Sequence, residues 1–250
     1  MDRHIRFDAL HNVRDLGGLS TPDGRHRTRP GRLYRADSLG KLTEGTADWD
    51  RFLSLGIGTV LDLRHPWEAE SRGRVPAHPS FTYHNLSIEH RPYDQPSLTP
   101  DVEPGPYLAE RYMEVAQDGR KEIAAALELV AGTDAPLVFH CASGKDRTGQ
   151  LAALVLTLLG IPEATVIEDF TLTERAAPAL LADWRARNGG RTPVWPAFGR
   201  APESGMRLYL AAMRARYGSV ESYVDRELGM DAGELSRSLR TRLLEPVPEL

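Results

Sequence analysis

The ten residues HCASGKDRTG, His140 to Gly149, contain the only cysteine of this 250-residue chain. The apolar run APLVF precedes them and the apolar run LAALVLTLLG follows them. A short apolar run that passes through small and polar residues into a longer one predicts a buried strand, a tight loop and a helix. The cysteine is therefore expected at the junction of a strand and a helix.

This predicted loop has the features of an anion-binding site. If the strand ends at His140 and the helix begins near Arg147, the backbone N–H groups between them curl into a concave nest. Such a nest and a helix N-terminus both favour a bound anion, and glycine removes side chains where the chain must turn or pack closely. The residues predicted to bind the anion are Ala142, Ser143, Gly144, Lys145, Thr148 and Gly149.

The same environment acts on the thiol of Cys141. Helix N-termini and adjacent cations favour the ionised form of a thiol, so Cys141 is predicted to be a nucleophile at neutral pH. Arg147 lies six positions on, where its planar guanidinium is expected to bind two oxygens of a phosphate. Thr148 is expected to donate its hydroxyl to the sulfur. Transfer of a phosphoryl group to Cys141 and then to water requires no metal or other cofactor.

The pattern His-Cys-x5-Arg-Thr resembles the signature loop of cysteine-dependent protein tyrosine phosphatases. The longer string HCASGKDRTG resembles a narrower group, the bacterial tyrosine and dual-specificity phosphatases that also act on phosphoinositides. Two upstream stretches, NVRDLGGL at 12–19 and VLDLRHPWE at 60–68, are similar to that group as well. The resemblance covers most of the first 175 residues. It implies a tyrosine-phosphatase-like α/β fold, with a central mixed sheet flanked by helices and a helical C-terminal part.

The resemblance also implies a metal-independent phosphatase that acts on phosphotyrosine through a cysteinyl-phosphate intermediate. Phosphoserine, phosphothreonine and phosphoinositides are further candidate substrates if Lys145 supplies a second cation; the alternative is a solvated surface lysine. Two other classes stay open, a rhodanese-like sulfurtransferase and a non-catalytic phosphate-recognising module. The pair Arg147–Thr148 argues against the first class, and the presence of both Cys141 and Arg147 argues against the second.

The oxygen that leaves phosphorus needs a proton, and three sources are candidates. The narrower phosphatase group implies Asp146 inside the loop, which we favour because it lies closest to the leaving group. Asp62, at the end of the VLDLR strand, is the second candidate. The third is the proline-rich stretch 90–107 with Asp94 and Asp101, although it lacks the Trp-Pro-Asp sequence of the larger family.

Several charged residues outside the loop are expected to have structural roles. His140 is expected to hydrogen-bond backbone and orient the loop, with catalytic base as the alternative. Arg14 and Asp15 are expected to pin a turn, or the loop from below. Arg64 and Glu68 are expected to form an ion pair that supports the VLDLR strand.

Some positions near and beyond the loop have two interpretations. Gln150 is expected on the helix surface, with positioning of the hydrolytic water as the alternative. Trp184 and Trp195 are expected in the core. Residues of about 174–205, a helix followed by a Gly/Pro-rich segment, form a candidate cover that closes over the pocket and protects the thiolate from oxidation.

The periodicity of apolar residues predicts strands followed by helices alone. A helix capped by Thr43 and ending at Gly56 is expected between the first two strands. Prolines make 90–107 a loop. The other expected elements are strands at 32–36, 57–64, 81–86 and 136–140, a helix at 107–131 broken near 118–119, and helices after 148, from 162, and at about 174–187, 203–217, 219–228 and 231–245, with an irregular stretch at 188–205.

The composition of the chain is that of a globular protein and gives no sign of a nucleic-acid-binding or membrane-spanning protein. Apolar content of 41% and charged content of 26% are ordinary for a globular chain, and residues 1–250 are expected to form a single phosphatase domain. A net charge of −4 gives no reason to expect a nucleic-acid partner. One cysteine excludes an internal disulfide, and no zinc spacing is present. No signal sequence or membrane-spanning run is visible, so we expect a cytoplasmic protein, or one exported without a recognisable signal. The oligomeric state is left open.

Overall fold

Short, wholly buried strands form the centre of the fold. Every residue of TVLD at 59–62 and LVFH at 137–140 is buried, as parallel strands covered on both faces require. The computed structural model describes residues 3–247. Its strands are β1 (Arg14–Asp15), β2 (His26–Thr28), β3 (Leu33–Ala36), β4 (Thr59–Asp62), β5 (Thr82–Asn85), β6 (Leu137–His140) and β7 (Leu244–Pro246).

Strand β6 occupies the middle of a five-stranded sheet with the order β1-β3-β6-β4-β5. Strands β3, β6, β4 and β5 run parallel, and β1 is antiparallel to β3, which confirms the predicted mixed sheet. Both Ala36 and Asp62 lie opposite His140 in register. The chain therefore leaves β6 between the ends of two parallel neighbours, where open α/β sheets bind their ligands.

Ten helices surround this sheet within residues 3–247. The most buried is the one that follows β6, because its apolar run contacts the sheet and the other helices on nearly every side. The helices are α1 (Ala47–Ser54), α2 (Pro66–Arg72), α3 (Pro104–Asp118), α4 (Arg120–Gly132), α5 (Asp146–Leu158), α6 (Glu163–Thr171), α7 (Ala177–Arg187), α8 (Glu203–Tyr217), α9 (Val220–Arg226) and α10 (Ala232–Leu243).

The two faces of the sheet contact different apolar clusters. Leu61 and Phe139 belong to a large cluster that includes the C-terminal helices. Their neighbours Val60 and Val138 point to the opposite face and join a smaller cluster around Trp49 of α1. Alternation along each strand thus anchors helices on both sides of the sheet, and each fully buried aliphatic side chain contributes about 1.5–3 kcal/mol.

Two predicted helix starts were wrong, each for a local reason. The cap of α1 is Thr46, whose hydroxyl accepts a hydrogen bond from the backbone N–H of Trp49 at 3.3 Å, and not Thr43. Gly45, with φ of +75°, turns the chain between the two threonines. Helix α3 begins at Pro104, inside the predicted loop, because proline is tolerated in a first helical turn whose N–H groups have no helical partner.

The break predicted near residue 118 is confirmed, and it has a steric cause. Gly119 separates α3 from α4, and a Cβ atom at this position would lie 2.0 Å from the carbonyl oxygen of Ile88. The close approach fixes the segment after β5 against the helices. No helix within residues 3–247 has the length and apolar character to span a membrane.

Candidate active site

The loop between β6 and α5 turns back on itself at Gly144. Its φ is +67°, a conformation that side chains with a Cβ rarely adopt. A Cβ atom at Gly144 would also lie 2.5 Å from the carbonyl oxygen of Ala36 in β3. Glycine is therefore required here both by the turn and by contact with the neighbouring strand.

Three consecutive carbonyl groups of this loop accept hydrogen bonds from donors outside the loop. In a trans peptide the N–H points away from the C=O of the same unit, so these contacts turn the following N–H groups to the other side. The loop thereby presents N–H groups as a nest for an anion. The bonds are Ser38 N to Ala142 O at 3.2 Å, Asn12 Nδ2 to Ser143 O at 2.9 Å and Arg35 Nη2 to Gly144 O at 2.7 Å.

A buried carboxylate holds two of these donors, Asn12 and Arg35, in place. Asp169 of α6 accepts from Arg3 at 2.8 Å, Arg14 at 3.2 Å and Arg35 at 2.7 Å. Burial opposes ionisation, but the three guanidinium groups hold the pKa of Asp169 far below its usual range. Arg14 also donates to Asn12 Oδ1 at 2.5 Å. The loop is therefore supported from below, as predicted for Arg14, but through Asp169, which no sequence motif indicated.

Asp15 pins a turn, as predicted. Its two carboxylate oxygens accept from the backbone N–H of Gly17 at 2.8 Å and of Gly31 at 2.7 Å. These bonds connect the NVRDLGG segment to the start of β3. The motif thus fixes the strand that carries Arg35.

Asp62 supports the loop from the other neighbouring strand. It accepts from the Nε of Arg64 at 2.9 Å and from the hydroxyl of Tyr83 at 2.9 Å. Burial favours the neutral form, but His140 and Arg64 lower the pKa of Asp62 to about 2. A carboxylate that stays ionised at neutral pH carries no proton for a leaving group, which argues against Asp62 as the acid.

His140 lies between Asp62 and the loop. Its Nδ1 is 3.2 Å from the carbonyl oxygen of Cys141, and its Nε2 is 3.6 Å from Asp62 Oδ2. Burial lowers the pKa of His140. The imidazole is positioned to orient the loop backbone, as expected from the sequence.

The expected ion pair between Arg64 and Glu68 does not form. Arg64 binds Asp62, whereas Glu68 binds Arg147, with Nη1–Oε2 at 2.5 Å and Nη2–Oε1 at 3.2 Å. The reason is the start of α2, where Glu68 accepts from the backbone N–H of its capping residue His65 and faces the loop. Glu68 thus contacts the predicted phosphate-binding arginine.

A second carboxylate contacts Arg147 from the segment after β5. Glu89 Oε2 lies 3.2 Å from the Nε of Arg147. Burial alone would lower the pKa of Arg147, but Cys141, Glu89 and Glu68 raise it well above its usual value. The guanidinium therefore stays charged next to the sulfur.

Cys141 is 2% exposed, and the hollow in front of the loop begins at the next residue, Ala142. The sulfur is thus shielded from bulk solvent. Thr148 is fully buried, and its hydroxyl has no hydrogen-bond partner in the part of the chain that the structure describes. The hydrogen bond to the sulfur that the sequence led us to expect is therefore not formed in this structure.

Lys145 and Gln150, for which the sequence left a solvent-exposed position open, are both buried. Lys145 is 1% exposed, with its Nζ 3.3 Å from Asp146 Oδ1, so it is not a solvated surface lysine. Asp146 Oδ1 also accepts from the hydroxyl of Tyr112 at 2.7 Å. Gln150 is 1% exposed, which makes its predicted place on the helix surface wrong.

The pocket in front of the loop has a volume of about 260 Å³. Trp184 lines this pocket and packs edge-on against Phe198, with ring centroids 5.0 Å apart. Its predicted place in the core is therefore wrong. Trp195 is buried, as predicted. Asp94 and Asp101 are exposed and outside the lining. The lining comprises His65, Trp67, Glu68, Arg72, Glu89, Pro92, Tyr93, Gln95, Pro96, Ala142, Ser143, Lys145, Asp146, Arg147, Leu180, Leu181, Trp184, Arg187, Phe198 and Gly199.

Residues within the candidate cover therefore form one wall of this pocket, opposite α2 and the proline-rich segment. Between residues 3 and 247, no group of three or more His, Cys, Asp and Glu side chains is arranged to hold a metal ion. The site presents a sulfur, a charged guanidinium and a nest of N–H groups.

Comparison with known proteins shows similarity over nearly the whole chain, including the loop at 140–149. The model described as "Tyrosine phosphatase family" matches residues 5–245. A Cupriavidus necator protein, provisionally named a tyrosine-protein phosphatase, is 29% identical over 254 residues, with 93% of this chain and 87% of that protein covered.

Two further relatives show similar identity. A Nostoc commune protein named tyrosine-protein phosphatase is 29% identical, with 84% of this chain and 74% of the relative covered. A Mycobacterium tuberculosis protein named triple specificity protein phosphatase PtpB is 28% identical, with 90% and 94% covered. The solved structure of P. aeruginosa TpbA covers 83% of this chain and 99% of its own at 15% identity, with a TM-score of 0.32.

Proposed function

Because this chain belongs to the tyrosine phosphatase family, we propose that it hydrolyses phosphotyrosine through a phosphate ester of Cys141. The observation that carries the proposal is the arrangement around the sulfur. Loop carbonyls are turned outward by Ser38, Asn12 and Arg35, and the charged guanidinium of Arg147 lies on the pocket side. A nest of N–H donors and one guanidinium suits the three equatorial oxygens of a phosphoryl group in transfer.

The reaction has two steps in which the phosphoryl group changes partners. The sulfur of Cys141 donates an electron pair to phosphorus while the bond to the tyrosyl oxygen breaks, and that oxygen takes up a proton. Water then attacks phosphorus, loses a proton, and the P–S bond breaks to return the thiolate. The buried hydroxyl of Thr148 has no partner before the reaction and is proposed to donate to the sulfur only as the P–S bond breaks. The site residues in both steps are Cys141, Ala142, Ser143, Gly144, Lys145, Arg147, Thr148 and Gly149.

Features of the pocket support a wider substrate range. Aromatic and apolar side chains above the loop, including Trp184 and Phe198, suit the ring of phosphotyrosine. The buried ammonium of Lys145 supplies a second cation beside Arg147, which suits multiply phosphorylated groups such as phosphoinositides. One relative is named for triple specificity. We therefore include phosphoserine, phosphothreonine and phosphoinositides among the proposed substrates.

The organisation of the chain is part of the same proposal. The family match over residues 5–245 supports a single phosphatase domain at 1–250. The wall formed by α7 and residues 198–199 supports a cover at about 174–205. A reducing compartment such as the cytoplasm suits a working thiolate, the only cysteine of the chain.

A panel of phosphopeptides and phosphoinositides, assayed with EDTA present, tests the function. We expect release of phosphate from phosphotyrosine peptides by the wild type and none by Cys141→Ser, which should still bind phosphate. Sulfur transfer from thiosulfate in place of phosphate release would favour a sulfurtransferase. Binding of phosphate with no turnover on any substrate would favour a recognition module, and either result would overturn the proposal.

A further inference from the structure

Glu89 is a buried carboxyl group in the wall of the catalytic pocket. It follows β5, is 6% exposed, and lies 3.2 Å from the Nε of Arg147 through its Oε2. The other edge of the guanidinium is taken by Glu68. Glu68 therefore occupies the Nη1 and Nη2 side of the guanidinium, and Glu89 lies on the Nε side.

The groups that face Glu89 come from every element packed around it. His65, the cap of α2, has its Nε2 3.6 Å from Glu89 Oε1, and Glu68 lies one turn further on. Asp146 and Arg147 face it from the start of α5, and the backbone of Tyr93 approaches it from the proline-rich segment. Burial is the largest influence, and together with Asp146 and Glu68 it raises the pKa of Glu89 to about 7 against the effect of Arg147.

We propose that Glu89 is the general acid that protonates the leaving oxygen, and the general base that accepts a proton from water in the second step. The proposal rests on the phosphatase function given above. Its geometric basis is that Glu89 adjoins the guanidinium that binds the transferring phosphoryl group. Glu89 also lines the same pocket as the residues of the phosphate-binding loop.

Binding of substrate favours protonation of Glu89. A phosphate dianion competes with the Glu89 carboxylate for the guanidinium of Arg147. Once the dianion is bound, Glu89 has lost its cation and lies next to two negative charges, so its protonated form is favoured. Substrate binding is thereby coupled to uptake of one proton.

A second cavity offers a path for that proton. It has a volume of about 670 Å³, opens to solvent, and shares His65 and Glu89 with the catalytic pocket. Ser87 lines the same cavity, and its hydroxyl lies 3.1 Å from His65 Nδ1. Glu89 thus separates the phosphate-binding loop from solvent and can exchange protons on the far side.

The atoms balance over the cycle. In the first step the P–O bond breaks as the S–P bond forms, and the proton on Glu89 passes to the leaving oxygen. In the second step the resulting carboxylate takes a proton from water as its oxygen bonds to phosphorus and the S–P bond breaks. Glu89 is then protonated again, and release of phosphate restores its contact with Arg147.

The alternative acid, Asp146, already has two partners within the protein. Its Oδ1 accepts from the hydroxyl of Tyr112 at 2.7 Å and lies 3.3 Å from the ammonium of Lys145. Both contacts engage the same carboxylate oxygen. Asp146 is therefore suited to neutralising Lys145 when no substrate is present.

The test compares Glu89→Gln with Asp146→Asn on aryl phosphates whose phenols span a wide range of pKa. Glutamine keeps an oxygen at the position near the Nε of Arg147 but has no acidic proton to transfer. For Glu89→Gln we expect kcat on phenyl phosphate and phosphotyrosine to fall by roughly 10²–10⁴-fold. The loss should shrink steadily as the leaving phenol becomes more acidic, with little change on 2,4-dinitrophenyl phosphate.

Two controls make the result specific. Glu122→Gln changes a carboxylate of the second cavity that contacts His90 and not Arg147, and it should leave the leaving-group dependence as in the wild type. Inhibition of each variant by inorganic phosphate shows that the loop is intact. The fall of wild-type kcat/KM above pH about 7 should disappear in Glu89→Gln, because a positioning role alone would not move that limb.

The inference is overturned if Glu89→Gln loses the same factor on every aryl phosphate. It is also overturned if the dependence on the leaving group changes in Asp146→Asn and not in Glu89→Gln. A wild type that releases no phosphate from any substrate would refute the proposed function instead, so the two failures are distinguishable.

Discussion

Arg35 in β3 donates a hydrogen bond of 2.7 Å from Nη2 to the carbonyl oxygen of Gly144, the residue at which the catalytic loop turns. The same guanidinium donates from Nη1 to Asp169 at 2.7 Å. A single arginine therefore connects a buried carboxylate of α6 to the loop that follows β6. Since the loop is shaped by such external contacts, its geometry depends on residues that never touch the substrate.

Asp169→Asn should weaken both the fold and the loop. Removing one charge from a buried cluster leaves Arg14 and Arg35 without a counter-charge, which costs about 3–5 kcal/mol. We expect the free energy of unfolding in urea to fall by that amount and the inhibition constant of inorganic phosphate to rise. Glu168→Gln, an exposed neighbour on the same helix, is the matched control. Unchanged stability in Asp169→Asn would contradict this account of the cluster.

Gly144→Ala should be far more harmful than an alanine at another glycine of similar φ. Gly45 has φ of +75° with open space around it, so Gly45→Ala carries only the conformational cost of about 1–2 kcal/mol. Gly144→Ala adds a clash with the carbonyl of Ala36. We expect a larger fall in melting temperature and loss of phosphate binding for Gly144→Ala alone. Equal effects in the two variants would show that the close approach is unimportant.

Glu89 should make stability depend on pH. Its pKa is raised from 4.5 to about 7, so between these values the folded state holds a proton that the unfolded state has lost. Stability from this group is therefore lost as the pH rises from 4.5 to 7. Relative to the wild type, Glu89→Gln should be more stable at pH 8 than at pH 5, by up to roughly 3 kcal/mol. Urea unfolding of both proteins at the two pH values measures the difference, and a constant difference would contradict it.

Trp184 should protect the thiolate if residues 174–205 act as a cover. Its ring lines the pocket and packs against Phe198. We expect Trp184→Ala to be inactivated by hydrogen peroxide several-fold faster than the wild type, because the sulfur becomes more accessible. Val194→Ala is the control, since Val194 lies in the same segment with 61% of its surface exposed. Equal rates in all three proteins would leave the cover without support.

The strand, loop and helix around Cys141 could be predicted because they are contiguous in sequence. Cys141, Gly144 and Arg147 lie within one turn between a strand and a helix, so their spacing alone places sulfur, turn and guanidinium together. The family resemblance implied the mixed sheet, and the runs of apolar residues predicted most of the helical C-terminal part.

The carboxylates around the loop could not be predicted in the same way. Glu68 looked like a partner for Arg64, four residues away on the sequence, but it contacts Arg147. Asp169 and Glu89 belong to no motif, and each reaches the site from an element distant along the chain. A carboxylate's partner depends on which guanidinium the packing brings within 3 Å of it.

The sequence by itself determined that Cys141 and Arg147 lie between a buried strand and the first turn of a helix, because this depends on neighbours along the chain. It did not indicate β1, β2, α2 or β7, and β7 follows α10, where helices alone were expected. Only the tertiary structure decided which carboxyl groups are held ionised and which can carry a proton. The ionisation of Asp62 and the proton affinity of Glu89 depend on burial and on charges brought close by folding. Both quantities are set by distances through space, which a linear pattern does not contain.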